Sequence, residues 1–166
     1  MDVKPMKLFT AFLCIQLKRV KLLMTPLMLL LLTACSSTDI RLNLAASADL
    51  NSNKHSESLP VMVRVYQLSA VGGFRSASFD QLWQADELIL GTDLVDKQVF
   101  SVQPNARVNY EFVQADDAEY IALFVMFRNA EQDRWRWLHK LDGGLVSFDT
   151  EFDIRLMNNK IYYSDN

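Results

Sequence analysis

The stretch Tyr120-Ile121-Ala122-Leu123-Phe124-Val125-Met126-Phe127 is apolar on both faces. A strand of that kind belongs in the middle of a sheet that is covered on both sides. After a polar turn, Asn129 to Asp133, comes Trp135-Arg136-Trp137-Leu138-His139-Lys140-Leu141, which is expected to pair with it as a hairpin. Further out, alternation takes over. Ile40, Leu42 and Leu44 share one face and Arg41 and Asn43 the other, a half-buried strand. Val61, Val63 and Val65 alternate with Met62, Arg64 and Tyr66. Val99 to Val102 reads as a short third strand, and Val108, Tyr110 and Phe112 share a face in a fourth, reached through a turn at Pro104-Asn105. Phe152, Ile154 and Leu156 alternate with Asp153 and Arg155. Asn158-Asn159 suits a tight turn because Asn tolerates positive φ, and Ile161-Tyr162-Tyr163 is the return strand. About eight short strands separated by turns are the pattern of an all-β sandwich.

One stretch departs from that period. Phe79, Leu82, Trp83, Asp86 and Leu90 fall at helical spacings. Ser78 with Gln81 three residues on predicts a capping box, and Gly91 a stop. The spacing predicts one inserted helix near 78–90, with Gly72-Gly73 marking the loop before it.

The start of the chain is of another kind. Lys18-Arg19-Val20-Lys21 is a basic cluster, and the apolar run Leu22 to Leu32 follows directly. Together they read as the n-region and h-region of a secretory signal. As a helix the run would reach about 16 Å, against roughly 30 Å for a bilayer core. Leu32-Thr33-Ala34-Cys35 then has the order of a lipobox: small residues at a cleavage site, then a thiol to accept lipid. This divides the chain into a signal peptide at 1–34, a lipidated Cys35 with a polar tether at 35–39, and a sandwich domain at 40–166. Residues 1–17 hold a second apolar stretch, Leu8 to Leu17, either an extended leader or an upstream start that is not used.

Charge is distributed to match. The whole chain has 17 bases against 20 acids, but five of the bases and one acid lie in residues 1–34. That leaves 12 bases and 19 acids, net −7, for the body. A body so acidic is a poor nucleic-acid ligand, since phosphate binding needs concentrated positive charge. The two cysteines are Cys14, in the leader, and Cys35. The body therefore has no thiol or disulfide, and hydrophobic burial must hold it.

The sequence offers little to a catalytic reading. Of the two histidines, His55 sits in a polar loop and His139 on a strand beside two tryptophans, where packing outweighs a role as base. No nucleophile elbow, phosphate-cradling Gly loop or zinc-spaced His pair is present. Asp86-Glu87 and Asp116-Asp117 are adjacent acids whose side chains diverge, and both read as solvated surface; the spaced oxygen ligands of a calcium loop are missing. No metal and no cofactor beyond the covalent lipid is expected. Trp135 and Trp137, two apart, are read on one face, as core in preference to an aromatic binding patch. The stretch Ala48 to Leu59 is 12 residues, mostly polar, where a hairpin would need only a few. It is either a recognition loop on a rigid sheet or a spacer, and composition leaves both open.

These pieces in this order resemble one family, the outer-membrane lipoprotein of the type VI secretion system, the TssJ family. The likeness is carried by the lipobox, by Leu50-Asn51, and by Leu59-Pro60-Val61-Met62-Val63-Arg64-Val65-Tyr66-Gln67-Leu68. It continues through Phe74 to Phe79 and Leu82, Leu90-Gly91-Thr92-Asp93-Leu94, Val102-Gln103-Pro104, Tyr120-Ile121-Ala122 to Phe127-Arg128, and Trp135-Arg136. The resemblance implies a transthyretin-like β-sandwich with a helical insertion, anchored by acyl chains on Cys35 in the inner leaflet of the outer membrane. It implies no catalysis. It also implies a partner: the loop between the first two strands grips the C-terminal periplasmic domain of the large, TssM-like inner-membrane core protein. By position the contact residues are Asn51, Ser52, Asn53, Lys54 and His55. The family's usual Asn-Pro-Asp followed by Gly is Asn51-Ser52-Asn53 here, with neither Pro nor Gly. The alternative from another class is a lipoprotein enzyme or small-ligand binder on the same sandwich. It would need polar groups converging in a pocket, with His139 as its base.

Overall fold

The computed structural model describes residues 38–130, 133–141 and 150–163. Cys35 and the leader lie outside them. Among the described residues eight strands form two four-stranded sheets. The first has the order β4-β1-β7-β8, from β4 (Arg107–Val113), β1 (Asp39–Ala46), β7 (Thr150–Met157) and β8 (Lys160–Tyr163). The second has the order β3-β2-β5-β6, from β3 (Leu94–Val102), β2 (Val61–Leu68), β5 (Tyr120–Val125) and β6 (Arg136–Lys140). Within these sheets β1 and β7 run parallel, and the other neighbours are antiparallel.

Alternation builds the first sheet. Ile40, Leu42 and Leu44 of β1 and Phe152, Ile154 and Leu156 of β7 are buried, while Arg41, Glu151, Asp153 and Arg155 face out. Each fully buried aliphatic or Phe side chain contributes about 1.5–3 kcal/mol. β5 sits between β2 and β6 with Ile121 to Val125 fully buried, as a run apolar on both faces requires. One face meets the opposite sheet. The other is covered by two helices, α1 (Gly72–Ser76) and α2 (Phe79–Leu90).

The α2 helix begins on the expected capping box: Ser78 Oγ accepts the Gln81 N–H at 3.3 Å, and Gln81 Oε1 accepts the Ser78 N–H at 2.9 Å. Gly91, at φ 52°, closes it by donating its N–H to the Glu87 carbonyl. Two boundaries differ from expectation. Gly72-Gly73, read as loop, opens α1; a Cβ on Gly73 would stand 2.8 Å from the Ile89 carbonyl oxygen, so only glycine lets α1 approach α2. The third strand is nine residues long, because β2 pairs with it from Val61–Val102 to Leu68–Leu94. It lies at an edge and is mostly half-exposed, which hides the alternation.

The helical layer is clamped to the sheet by polar groups. The α2 backbone kinks at Ala85 (φ −150°, ψ 44°), and Arg64 donates to the Leu82 carbonyl at 2.8 Å just before the kink. Asp86, expected as solvated surface, is only 7% exposed. It accepts from the Tyr66 hydroxyl at 2.9 Å and pairs with Arg64 at 3.0 Å and Lys97 at 3.4 Å. The helix face that carries Leu82 and Leu90 inward carries Asp86 with them, and three strand donors on β2 and β3 meet it. Burial pushes the Tyr66 phenol well above the usual tyrosine range. Glu87 beside it is exposed and holds Lys97. Asp116 and Asp117 are exposed, as expected. Arg136 secures the other helix, its guanidinium donating to the carbonyls of Phe74, Arg75 and Ala77.

Trp135 and Trp137 are both buried, as the core reading holds, but on opposite faces. Trp135 packs edge-on against Phe79 and Phe124 under the helices, while Trp137 meets Phe152 between the sheets. Trp135 precedes the regular part of β6 and follows Asp133 at φ 57°, so period-two counting does not extend to it.

Candidate functional site

The candidate site is the β1–β2 loop, residues 47–60. Its position follows from strand direction. β1 starts beside Thr38, whose carbonyl accepts the Gln114 N–H, and ends at Ala46, bonded to the Ala106 carbonyl. Eight residues of strand separate these poles by roughly 26 Å. The loop shares the far pole with the β3–β4, β5–β6 and β7–β8 connections.

The base of the loop is built into the fold. Leu50 is fully buried. Asn51 is 4% exposed and adopts φ 49°, a left-handed conformation that Asn tolerates. Its Nδ2 donates to the Pro60 carbonyl at 2.9 Å, its Oδ1 accepts the Arg128 N–H at 2.8 Å, and its own N–H reaches the Asn158 carbonyl. One residue thus ties the two arms of the loop together through its side chain and to two neighbouring connections, Arg128 through Oδ1 and Asn158 through its backbone N–H. At the opposite pole Gln67 plays the same part, donating to the Val113 carbonyl and accepting from the Ala115 N–H.

The tip is organised by Asn53. Its Oδ1 accepts the N–H groups of His55 at 2.8 Å and Glu57 at 3.0 Å, an Asx turn. Its Nδ2 donates to the Glu57 carboxylate at 2.7 Å. The Asn53 N–H bonds the Glu57 carbonyl and the Ser56 N–H returns to the Asn53 carbonyl, with Ser56 at φ 62°. Ser52 Oγ donates to the Asp49 carbonyl at 2.7 Å. Lys54, His55, Ser56 and Glu57 are left exposed at the crest. Of the five residues singled out from sequence, Asn51 is buried and shapes the loop, Ser52 and Asn53 hold the turn half-exposed, and Lys54 and His55 face solvent. An Asx turn supplies the closure that Pro and Gly would otherwise encode.

Sequence reasoning missed the clamp residues Arg64, Asp86 and Arg136. The buried helical position of Asp86 opposite two strand cations was the available signal. His139 is exposed on β6, stacked on Trp137 and edge-on to Phe152. No group of three or more His, Cys, Asp or Glu among the described residues is placed to hold a metal. No helix among them is long and apolar enough to cross a membrane.

A two-sheet sandwich with a helical layer on one sheet and an ordered loop at the pole remote from Thr38 defines a transthyretin-like β-sandwich with a helical insertion. The chain belongs to the type VI secretion lipoprotein family (T6SS-SciN; VasD, EvfM, TssJ, VC_A0113), whose family model matches residues 38–159. The fold is that of solved relatives. The type VI secretion lipoprotein TssJ1 from Pseudomonas aeruginosa is 21% identical with a TM-score of 0.70, over 79% of this chain and 99% of that one. A chain of a type VI membrane complex is 25% identical with a TM-score of 0.71, over 78% and 100%. A chain in the structure of the type VI secretion protein TssM C-terminal domain from EAEC is 22% identical with a TM-score of 0.68, over 79% and 100%. Comparison with curated protein sequences gives no match.

Proposed function

We propose that this protein is the outer-membrane-anchored lipoprotein of a type VI secretion membrane complex and acts by binding, without catalysis. In this reading residues 1–34 are removed, and Cys35 becomes the acylated first residue facing the periplasm. Two or more acyl chains give stable anchoring, at about 0.8 kcal/mol per buried CH₂. The β1–β2 loop then grips the periplasmic C-terminal domain of a TssM-like core protein through Ser52, Asn53, Lys54 and His55, with Asn51 setting the loop's path. The observation that carries the reading is the opposition of the two poles. The chain reaches the sandwich at Thr38, three residues after Cys35, and the organised loop stands at the other end of β1. A lipid anchor at one pole would present the loop away from the membrane. The family match, and the similar chains found with a TssM domain and in a membrane complex, support the partner.

Two experiments test it. Cys35→Ser is expected to leave the domain folded and release it from outer-membrane fractions; sedimentation with that membrane as before would refute the anchor. Replacing Ser52–His55 by Gly/Ser while keeping Asn51 is expected to abolish binding to the TssM-like periplasmic domain with the melting temperature unchanged. Unaltered affinity by calorimetry would move the interface off the loop.

A further inference from the structure

The outer face of the β4-β1-β7-β8 sheet carries no helical layer among the described residues, and its charges are graded along the strands. Toward Thr38, beyond Asp39 opposite Val113, Arg41 lies between Glu111 and Glu151 in register. One row on, Asn43 lies between Asn109 and Asp153. In the row at the loop pole, Ala45 lies between Arg107 and Arg155, and Arg155 is followed by Tyr162 on β8. A surface depression of about 1100 Å³ covers this part of the face; its charged lining is Arg107 and Arg155 at the loop end and Glu151 and Asp153, both bonded by Asn43, at the other.

The acids of the face already have partners. Arg41 bonds Glu111 at 2.9 Å, and Asn43 Nδ2 reaches Glu151 at 2.6 Å and Asp153 at 3.0 Å. Arg107 and Arg155 have no carboxylate within salt-bridge distance among the described residues. Their strands flank that of the small Ala45, so the two residues stand roughly twice the ~4.8 Å strand spacing apart, and both line the depression. Arg134 lies over the ring of Tyr162 at 5.7 Å and extends the cationic row. Lys54 and Arg128 share this pole with Asp49, Glu57 and Asp133, while Asp39, Asp116, Asp117, Glu119 and Lys140 lie at the Thr38 pole. In a body of net −7, Arg107 and Arg155 are a local pair of cations on an otherwise mixed face.

We infer that this depression is a receptor for carboxylate side chains, taking an acidic segment of the protein partner between Arg107 and Arg155. The inference rests on the loop-pole reading above and extends it. The loop and the depression are joined by backbone: the Asn51 N–H bonds the Asn158 carbonyl, and the Asn158 N–H bonds Ser47 Oγ at 3.3 Å. A partner seated on the loop crest would lie next to the arginine row. Arginine suits the task because its planar fork takes a carboxylate through two hydrogen bonds. Anionic lipid headgroups offer similar charge. A protein is favoured because the Arg107–Ala45–Arg155 row stands at the end of β1 away from Thr38, where the chain arrives from the proposed lipid anchor, and beside the proposed binding loop.

The test uses the full lipoprotein in detergent and the periplasmic C-terminal domain of the TssM-type protein from the same bacterium. Arg107→Glu/Arg155→Glu is expected to weaken binding about tenfold or more, and to flatten the loss of affinity between about 50 and 300 mM salt. Arg107→Lys/Arg155→Lys is expected to recover much of the salt dependence, and Glu111→Gln, outside the depression, to change neither. Unchanged melting temperatures separate these effects from misfolding. If the charge-reversed protein binds like the parent while the Ser52–His55 replacement does not, the receptor is refuted and the loop reading stands. If both bind like the parent, both ideas fall. If charge reversal abolishes binding only to phosphatidylethanolamine vesicles with about 30% phosphatidylglycerol, the depression is a lipid surface and the inference is overturned.

Discussion

The two sheets solve burial in different ways. In β4-β1-β7-β8 one face is core and the other is uncovered among the described residues, and β1, β4 and β7 alternate. In β3-β2-β5-β6 the central strands are buried on both faces, because α1 and α2 cover the outer one. The doubly covered sheet pays for its polar backbone ends with internal groups: Arg64 serves the kink in α2, Arg136 the end of α1, and Asp86 sits among Arg64, Tyr66 and Lys97. The singly covered sheet carries its charges outward, where Arg41 pairs with Glu111 and Asn43 bonds Glu151 and Asp153. Stability should therefore be concentrated in one sheet and binding at the pole of the other.

Breaking that contrast is simplest at Phe124, which is fully buried under Phe79 and Trp135. Phe124→Ala is expected to cost about 3–5 kcal/mol by urea unfolding. A loss as small as that of an exposed residue of the other sheet, such as Val113→Ala, would show that the helical layer is not a second core. Next in size is Arg64→Met, at about 3 kcal/mol, because it leaves Asp86 buried with weaker partners. The double variant Arg64→Met/Asp86→Leu should recover part of that loss, and additive losses would show that the two groups act separately. Asn51→Ala is expected to cost about 1–3 kcal/mol by leaving buried backbone groups unpaired, and to weaken partner binding through the loop's path. Ser78→Ala should cost about 1 kcal/mol, the usual worth of a helix cap.

The smallest effect is alkaline. The hydrogen bond to Glu87 raises the Lys97 pKa most, with desolvation opposing and Asp86 adding to the rise; burial raises that of Tyr66. Both groups hold their protons more tightly when folded. Their contributions are therefore complete below the unfolded values of about 10 and are lost as pH climbs through the raised folded values. Stability should be level near neutrality and fall above about pH 10, less steeply in Lys97→Met. An equal fall in that variant would remove Lys97 from the account.

Much of this arrangement was legible before any coordinates. Ile121 to Val125 demanded cover on two sides, and Ser78, Gln81 and Gly91 marked the helix that provides it. The motifs behind the family resemblance prove to be largely structural: Arg64, Tyr66, Gln67 and Arg136 join the helices and loops to the sheet. The loop itself was visible as an overlong polar connection. Which of its residues face out was not, since Asn51 and Lys54 are both polar and near in sequence.

By itself the sequence determined the strand faces, the helix and its caps, and the acidic balance of the body. These depend on period, propensity and charge over a few neighbouring residues. Only the tertiary structure decided that Asn51 is buried, because its amide partners lie 9 and 77 residues away. The same holds for the separation of Trp135 from Trp137, which depends on a backbone turn at Asp133, and for the pairing of Arg107 with Arg155 across Ala45. Contacts between distant segments are set by sheet order, and local pattern carries no record of that order.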